Sequence, residues 1–375
     1  MTPTQLILIF MLIAIVIALA YLARTLWHEF GQNPKIAELA PRTEQGQIRD
    51  DAFQNEIDTP TQTSEFSASK LIGEMIWPSS QRRRPDAPIP HEKVDLNGLK
   101  TQGPSITWFG HSSYLLTMDG CTVLVDPVMS GHSSPLPFFI RSFAGTDVYR
   151  VEDLPEIDVL LITHDHYDHL DFETIVQLKT KVKRVVTTLG VGAHLQFWGY
   201  DADIITELNW HESAQVKHLT FTATPTRHFS GRSFVRNQTL WAAFVLKTAA
   251  HNIYIGGDSG YGPHFKTTGE QYGPFDIAIL ESGQYNSAWK YIHMAPEETV
   301  QAALDLRAQT LFPVHWGKFI LSLHDWDEPI ARLTAAAATH QQAVLTPTLG
   351  RPVYLNGHYA ANPWWQAIQT PPPSH

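Results

Sequence analysis

Cysteine is almost missing from this chain: Cys121 is the only one in 375 residues. A single thiol excludes an intrachain disulfide and leaves the redox compartment open. Cys121 lies in the apolar run CTVLV and reads as a small buried hydrophobe. Charge is sparse too, at 17% of residues, and basic side chains are the minority, 27 against 37 acids. A net charge of -10 argues against nucleic acid as a partner, because binding a phosphate backbone normally needs a basic face. A nuclease with a local basic groove would escape that argument. Internal repeats are also absent. What the chain does have is apolar content of 43%, ample for a core.

The first conspicuous feature is Leu6 to Ala23, eighteen residues without a charge. As a helix this run is about 27 Å long, close to the hydrocarbon thickness of a bilayer. Arg24 closes it, with Tyr21 and Trp27 where interfacial aromatics belong. A cleaved signal peptide ending at Ala20 is the competing reading. Met1 to Gln5 has no basic side chain, which favours a retained anchor. Arg24, Lys35 and Arg42 follow the span, so the positive-inside rule expects a single-pass protein of the inner (cytoplasmic) membrane, its catalytic domain in the cytoplasm. Nearby Glu29, Glu38 and Glu44 dilute that bias.

The chemistry is concentrated in THDHYDHLD, Thr163 to Asp171. It follows the apolar stretch Ile157 to Ile162, a strand pattern. Alternate residues of an extended chain point the same way, so His164 and His166 can reach one ion together. Asp168 and His169 come after the turn and can face a second. Imidazole and carboxylate suit zinc or a similar first-row metal. Two metals about 3.5–4 Å apart form a hydrolytic centre. A His-rich surface turn is the bland alternative. Three further strand-like runs end in donors: His228 after FTATPT, Asp258 after NIYIGG, and His315 after TLFPV.

These residues, with WFGHSSYLL, VDPV, GGDSGYGPHF, YGPFDIAILESGQY, HMAPEE and PVHWGKF, resemble the metallo-β-lactamase superfamily. Within it the chain is most similar to the N-acyl phosphatidylethanolamine-hydrolysing phospholipase D group, from about Ser105 to about Leu345. The resemblance implies an αββα sandwich with its metals at one edge. It implies His164, His166 and His228 on the first metal, Asp168, His169 and His315 on the second, and Asp258 bridging. It implies two Zn²⁺ ions, or other divalent first-row metals, and water activated between them. The products would be an N-acylethanolamine and phosphatidic acid. Asp165 stands where the mammalian enzymes carry Asn, which bears on the hydrogen bonds around the ligands. His293, in HMAPEE, is the candidate to protonate the leaving alkoxide, or is an exposed residue before a helix. Asp168 and His293 are therefore the catalytic candidates. His111 either orients a ligand or satisfies a buried turn, and His264 reads as a solvated loop residue.

The expected partners are a phospholipid substrate and the bilayer, with a homodimer raised by the family resemblance. Lactonase-like or nuclease-like hydrolysis of a soluble substrate remains an alternative, as does a non-catalytic membrane scaffold. A narrow polar pocket, a basic groove, or missing ligands would mark these in turn.

The expected organisation is an anchor over 1–27, a polar tether and arm over 28–100, a catalytic domain over 101–360 and a tail over 361–375. Within the arm, Ser67 to Pro78 has helical spacing and either lies on the membrane or docks on the domain. Arg82 to Arg84 reads as a solvated turn, or as a contact for anionic headgroups. Pro135 to Phe143 is a candidate lipid-facing wall, or a packed hairpin. Strands are expected at 106–109, 114–117, 122–125, 185–187, 219–223, 240–246, 253–255 and 277–280. Helices are expected at 172–179, from Pro296, and at 329–338.

Overall fold

Strands that read as unbroken apolar runs here are buried on both faces. The computed structural model describes residues 2–80, 82–355 and 362–368. In Val159–Ile162, the side chains of Val159 and Leu161 join the core between two sheets. Leu160 and Ile162 join a second core under helices on the outer face. Period-two alternation thus survives, but both directions are apolar, as expected of parallel strands covered on each side. Burial of each such side chain contributes about 1.5–3 kcal/mol.

Strands β1 (Ile48–Arg49) and β2 (Ala52–Phe53) form a small hairpin. Next come β3 (Ser105–Trp108), β4 (Tyr114–Met118), β5 (Cys121–Val125), β6 (Val159–Ile162), β7 (Val185–Thr188) and β8 (Ile205–Leu208). They make one seven-stranded sheet with β16 (Pro352–Tyr354), in the order β16-β3-β4-β5-β6-β7-β8. The second sheet is built from β9 (Ser213–Val216), β10 (Leu219–Thr224), β11 (Ala243–Lys247), β12 (Asn252–Ile255), β13 (Phe275–Glu281), β14 (Ala308–Val314) and β15 (Ala343–Val344). Its order is β15-β14-β13-β12-β11-β10-β9. Pairing is parallel from β5 to β8 and from β12 to β15. Helices α4 (Phe172–Leu178) and α5 (Val191–Phe197) cover the first sheet. Helices α6 (His264–Tyr272), α7 (Pro296–Asp305) and α8 (Glu328–Thr339) accompany the second. This is the αββα sandwich of the metallo-β-lactamase fold.

The expected strand at 240–246 starts at Ala243 instead. Leu240 and Ala242 donate their backbone N–H to Leu189 and Thr163, which follow β7 and β6 of the other sheet, so this stretch crosses the strand ends before pairing. Strands β1, β2, β8, β9, β15 and β16 and helices α5 and α6 were not anticipated.

Helix α1 (Pro3–Phe30) is 28 residues long, with Thr2 capping its N-terminus, and is long and apolar enough to cross a membrane. The segment after it corrects the tether reading. Helix α2 (Ile36–Leu39) buries both its end residues, and Phe53 is fully buried. Polar side chains there bond the domain rather than water: Gln47 to Asn209, Arg42 to Glu212, Asn55 to His228. Polarity alone therefore misread a docked segment as a free one. Helix α3 (Ala68–Ile76) forms where helical spacing predicts it. The basic run is also not free. Arg82 pairs with Asp327 at 2.5 Å, Arg83 pairs with Glu74, and Arg84 lies over the ring of Phe143. The tail begins later than expected, since Trp364 and Trp365 are buried in a short 3-10 turn. Residues 370–375 lie outside the described residues.

Candidate metal centre

Every candidate donor sits at the carboxyl end of a strand, on one edge of the sandwich. The loop after β6 carries His164 to His169, and those after β10, β12 and β14 carry His228, Asp258 and His315. Because these strands run in one direction, their following loops converge, which is where open α/β sheets bind ligands. The turns are tight. His315 has φ 66°, and His111 and Asp126 lie at 52° and 40°. Non-glycine residues in that region cost about 1–3 kcal/mol each and gather at functional sites. Gly257, at φ 57°, precedes Asp258, and a Cβ there would press on Ala242 O and Thr163 Cβ at 3.1 Å.

The structure brings all seven candidate ligands together. His164, His166 and His228 offer nitrogens within 4.8 Å of one another. His166 Nδ1 lies 3.0 Å from His164 Nε2 and 3.2 Å from His228 Nε2. Asp258 Oδ2 is 3.2 Å from both His169 Nε2 and His315 Nε2, and 3.7 and 3.9 Å from His228 and His164. It stands between the two clusters, where a bridging carboxylate would. Asp168 Oδ2 faces His315 Nε2 at 3.1 Å.

Outer partners aim these donors. His228 Nδ1 lies 2.9 Å from the carbonyl of Ile292, and His169 Nδ1 lies 2.8 Å from Asp126 Oδ2, leaving each Nε2 facing inward. Asp126 also accepts from the backbone and hydroxyl of Thr163. Buried His111 bonds Asp168 Oδ2 at 2.9 Å, so it orients a candidate ligand from a strained turn. Asn55 clamps the His228 backbone on both sides, accepting from its N–H and donating to its carbonyl. Asp165 is buried, accepts from Gly231 N–H at 2.7 Å, and faces His194. Burial would raise its pKa, but the His194 contact and nearby cations hold it at about 2. The acid is thus accommodated by a partner imidazole and a backbone amide.

The electrostatics fit a metal. Burial and neighbouring histidines push His164 well below the usual imidazole range, and His228 is pushed down by burial and by His166. Both are held neutral, as ligands must be. Burial opposes charge on His169, yet Asp258 and Asp168 raise it to about 10. Without metal this ring carries a proton that metal uptake would release. His169 Nε2 and Asp258 Oδ1 are also buried without a hydrogen-bond partner. Orphaned polar atoms pointing into a ring of donors are what a cation would satisfy.

His293 lines the same cleft. Its Nδ1 lies 2.6 Å from Glu281 Oε2, and Glu281 also reaches His315 Nδ1 at 3.3 Å. His264 is not a solvated loop residue. It is buried at the start of α6, its Nε2 3.0 Å from Ser259 Oγ. Sequence reasoning missed Asp126, Glu281 and Asn55. VDPV and ESGQY held a signal, each placing an acid directly at a strand end. Asn55 had none, lying in a polar stretch.

Asp126→Asn tests the outer partners. It keeps the Thr163 contacts in shape but replaces a carboxylate facing His169. Titration with zinc should show affinity weakened by about 10–100-fold. Unchanged affinity would remove Asp126 from the site.

The cleft has a volume of about 440 Å³. Its lining combines candidate donors with the apolar side chains of Phe66, Leu71, Phe229 and Trp289. The model of the beta-lactamase superfamily domain matches residues 122–316. An uncharacterised protein of Mycobacterium tuberculosis is 42% identical over 325 residues, covering 85% of this chain and 87% of that protein. An N-acyl-phosphatidylethanolamine-hydrolyzing phospholipase D of Caenorhabditis elegans is 32% identical over 260 residues, covering 64% of this chain and 71% of the relative. Among solved structures, a metallo hydrolase of the archaeon Ignicoccus hospitalis shares the fold at 19% identity and a TM-score of 0.51, over 67% of this chain and 97% of that one.

Proposed function

Since this chain belongs to the metallo-β-lactamase superfamily of metal-dependent hydrolases, we propose that it is a membrane-anchored phospholipase of the D type. Its substrate would be N-acyl phosphatidylethanolamine or a close relative. Two zinc ions would be held by His164, His166 and His228, by Asp168, His169 and His315, and by Asp258 between them. Bound there, such ions supply Lewis acidity towards water and a phosphoryl oxygen. The observation that carries the lipid reading is the cleft itself. The candidate donors share it with Phe66, Leu71, Phe229 and Trp289, a mixed lining that suits a charged phosphodiester joined to acyl chains.

The remaining work falls to the chain's own residues. Among the described residues, Arg236 forms no ion pair; its guanidinium stacks 5.2 Å over Phe229 on the cleft wall. It complements a phosphate anion entering there. Glu281 accepts from His293 Nδ1–H, which leaves Nε2 as the nitrogen free to exchange a proton. As a water oxygen bonds to phosphorus, the bond to the ethanolamine oxygen would break and His293 would donate a proton to that oxygen from Nε2, releasing N-acylethanolamine and leaving phosphatidic acid. The exposed Phe138 and Phe139 of the Pro135 to Phe143 loop would meet acyl chains.

Metal-loaded full-length protein incubated with N-acyl phosphatidylethanolamine in mixed micelles should release N-acylethanolamine and phosphatidic acid, read by mass spectrometry. Fatty acid alone, or no lipid product, would overturn the phospholipase D reading. We further propose that α1 spans the cytoplasmic membrane with the catalytic domain in the cytoplasm. A C-terminal fluorescent protein that matures only in the cytoplasm should glow, and a C-terminal alkaline phosphatase should stay inactive. The reverse pattern would indicate export.

A further inference from the structure

The anchor is not joined to the domain by a flexible link. Its last turn is bolted down. Arg232, fully buried, donates from Nε and Nη2 to Glu29 O at 3.0 and 2.8 Å. The same guanidinium donates to the carbonyls of Asp165 and Leu170 in the metal motif and stacks over Tyr167 at 4.1 Å. Trp198 Nε1 donates to His28 O at 2.8 Å, and the His28 ring stacks on Phe172. Phe30 meets Phe234 edge-on, centroids 6.0 Å apart. These contacts tie residues 28–30 of α1 to both the metal motif and the α4–α5 face of the domain.

One loop runs from this bolt to the cleft. Phe229 and Arg236 line the cleft, while between them Arg232 holds α1 and Phe234 lies beside its last residue. That loop exposes two apolar side chains in succession: Phe234 is 94% exposed and Val235 53%. At 1.5 Å per residue, the 28 residues of α1 extend roughly 42 Å, the thickness of a bilayer with its headgroups. With Leu6 to Ala23 in the hydrocarbon, Phe30, the last residue of α1, lies about 10 Å beyond that layer, at the outer side of the headgroups, with Phe234 beside it. An exposed Phe-Val pair there faces the membrane surface, where apolar side chains can enter the headgroup layer.

We propose that the loop from Phe229 to Arg236 rests on the bilayer surface beside α1, which holds the mouth of the cleft against the lipid in one fixed orientation. The occupant of this surface is the membrane that α1 crosses. The inference deepens the anchored-phospholipase reading and rests on α1 spanning the bilayer. Lipid would enter along the Phe234 edge and meet Arg236 before the metal donors.

Cys121 is buried, so a cysteine placed at an exposed position is the accessible thiol among the described residues. Full-length Phe234→Cys, Ile13→Cys and Ala249→Cys would each carry an environment-sensitive fluorophore. Reconstitution would use phosphatidylcholine–phosphatidylglycerol vesicles containing nitroxide-labelled lipid. Ala249 lies in the turn between β11 and β12, at the end of the sheet away from Asp258. Ile13 lies inside α1 and reports whether the helix spans. The label at 234 should be quenched several-fold more than that at 249, and most strongly by shallow nitroxides. Quenching at 13 with none at 234 would overturn the proposal while leaving the anchor. No quenching at either position would overturn both. Quenching at 234 in a protein without phospholipase activity would support the surface and remove only the substrate. A flexible Gly-Ser insertion after Arg24 should reduce quenching at 234 and slow turnover of vesicle substrate, sparing micellar substrate. Unchanged quenching and turnover would exclude a fixed orientation set by α1.

Discussion

Asp258→Ala should lose hydrolysis by more than about 100-fold, beyond the upper range for removing a mere outer partner of a metal ligand. The reason is position. Asp258 Oδ2 lies 3.2 Å from nitrogens of both His169 and His315 and within 3.9 Å of His164 and His228. No other carboxylate among the described residues stands between the two groups of donors. Its removal leaves buried imidazoles facing one another with no anion between them. Elemental analysis should fall from close to two metals per chain in the parent protein. Circular dichroism should stay that of the folded protein, because strands β12 and β13 are secured by their own apolar core. A fully active Asp258→Ala protein would end the dinuclear assignment.

His293→Ala should keep both metals and lower kcat by about 10²–10⁴-fold, the usual cost of losing a general acid. The loss should shrink with a phosphodiester whose leaving group is a stable anion, since that departure needs no proton. The neighbouring glutamate separates this role from a structural one. Glu281 contacts both His293 Nδ1 and His315 Nδ1, so Glu281→Gln should disturb proton transfer and metal retention together. His293→Ala should disturb only the first. Metal loss in His293→Ala would instead make the histidine a ligand.

The fold was largely legible because parallel strands buried on both faces leave a plain record, runs such as Val159–Ile162 and Phe275–Glu281 bounded by turns. Short edge strands left none. β9 and β15 are only partly buried, so their side chains were not constrained to be apolar. The candidate donors were legible because several occur within one turn, where packing does not account for such a density of imidazole. Their orienting partners were not. Asn55 and Asp126 are polar residues whose significance depends on meeting His228 and His169 across the fold.

By itself, then, the sequence determined the types of the candidate donors, their strand-end positions and an apolar helix ahead of the domain, since each is a local pattern written in consecutive residues. Only the tertiary structure decided that residues 28–68 are docked rather than free and that Glu281 joins His293 to His315. It alone decided that Arg232 ties the last turn of α1 to the metal motif, across 203 positions of chain. Contacts between residues so far apart depend on how two sheets close on each other, and that closure is a property of the whole core.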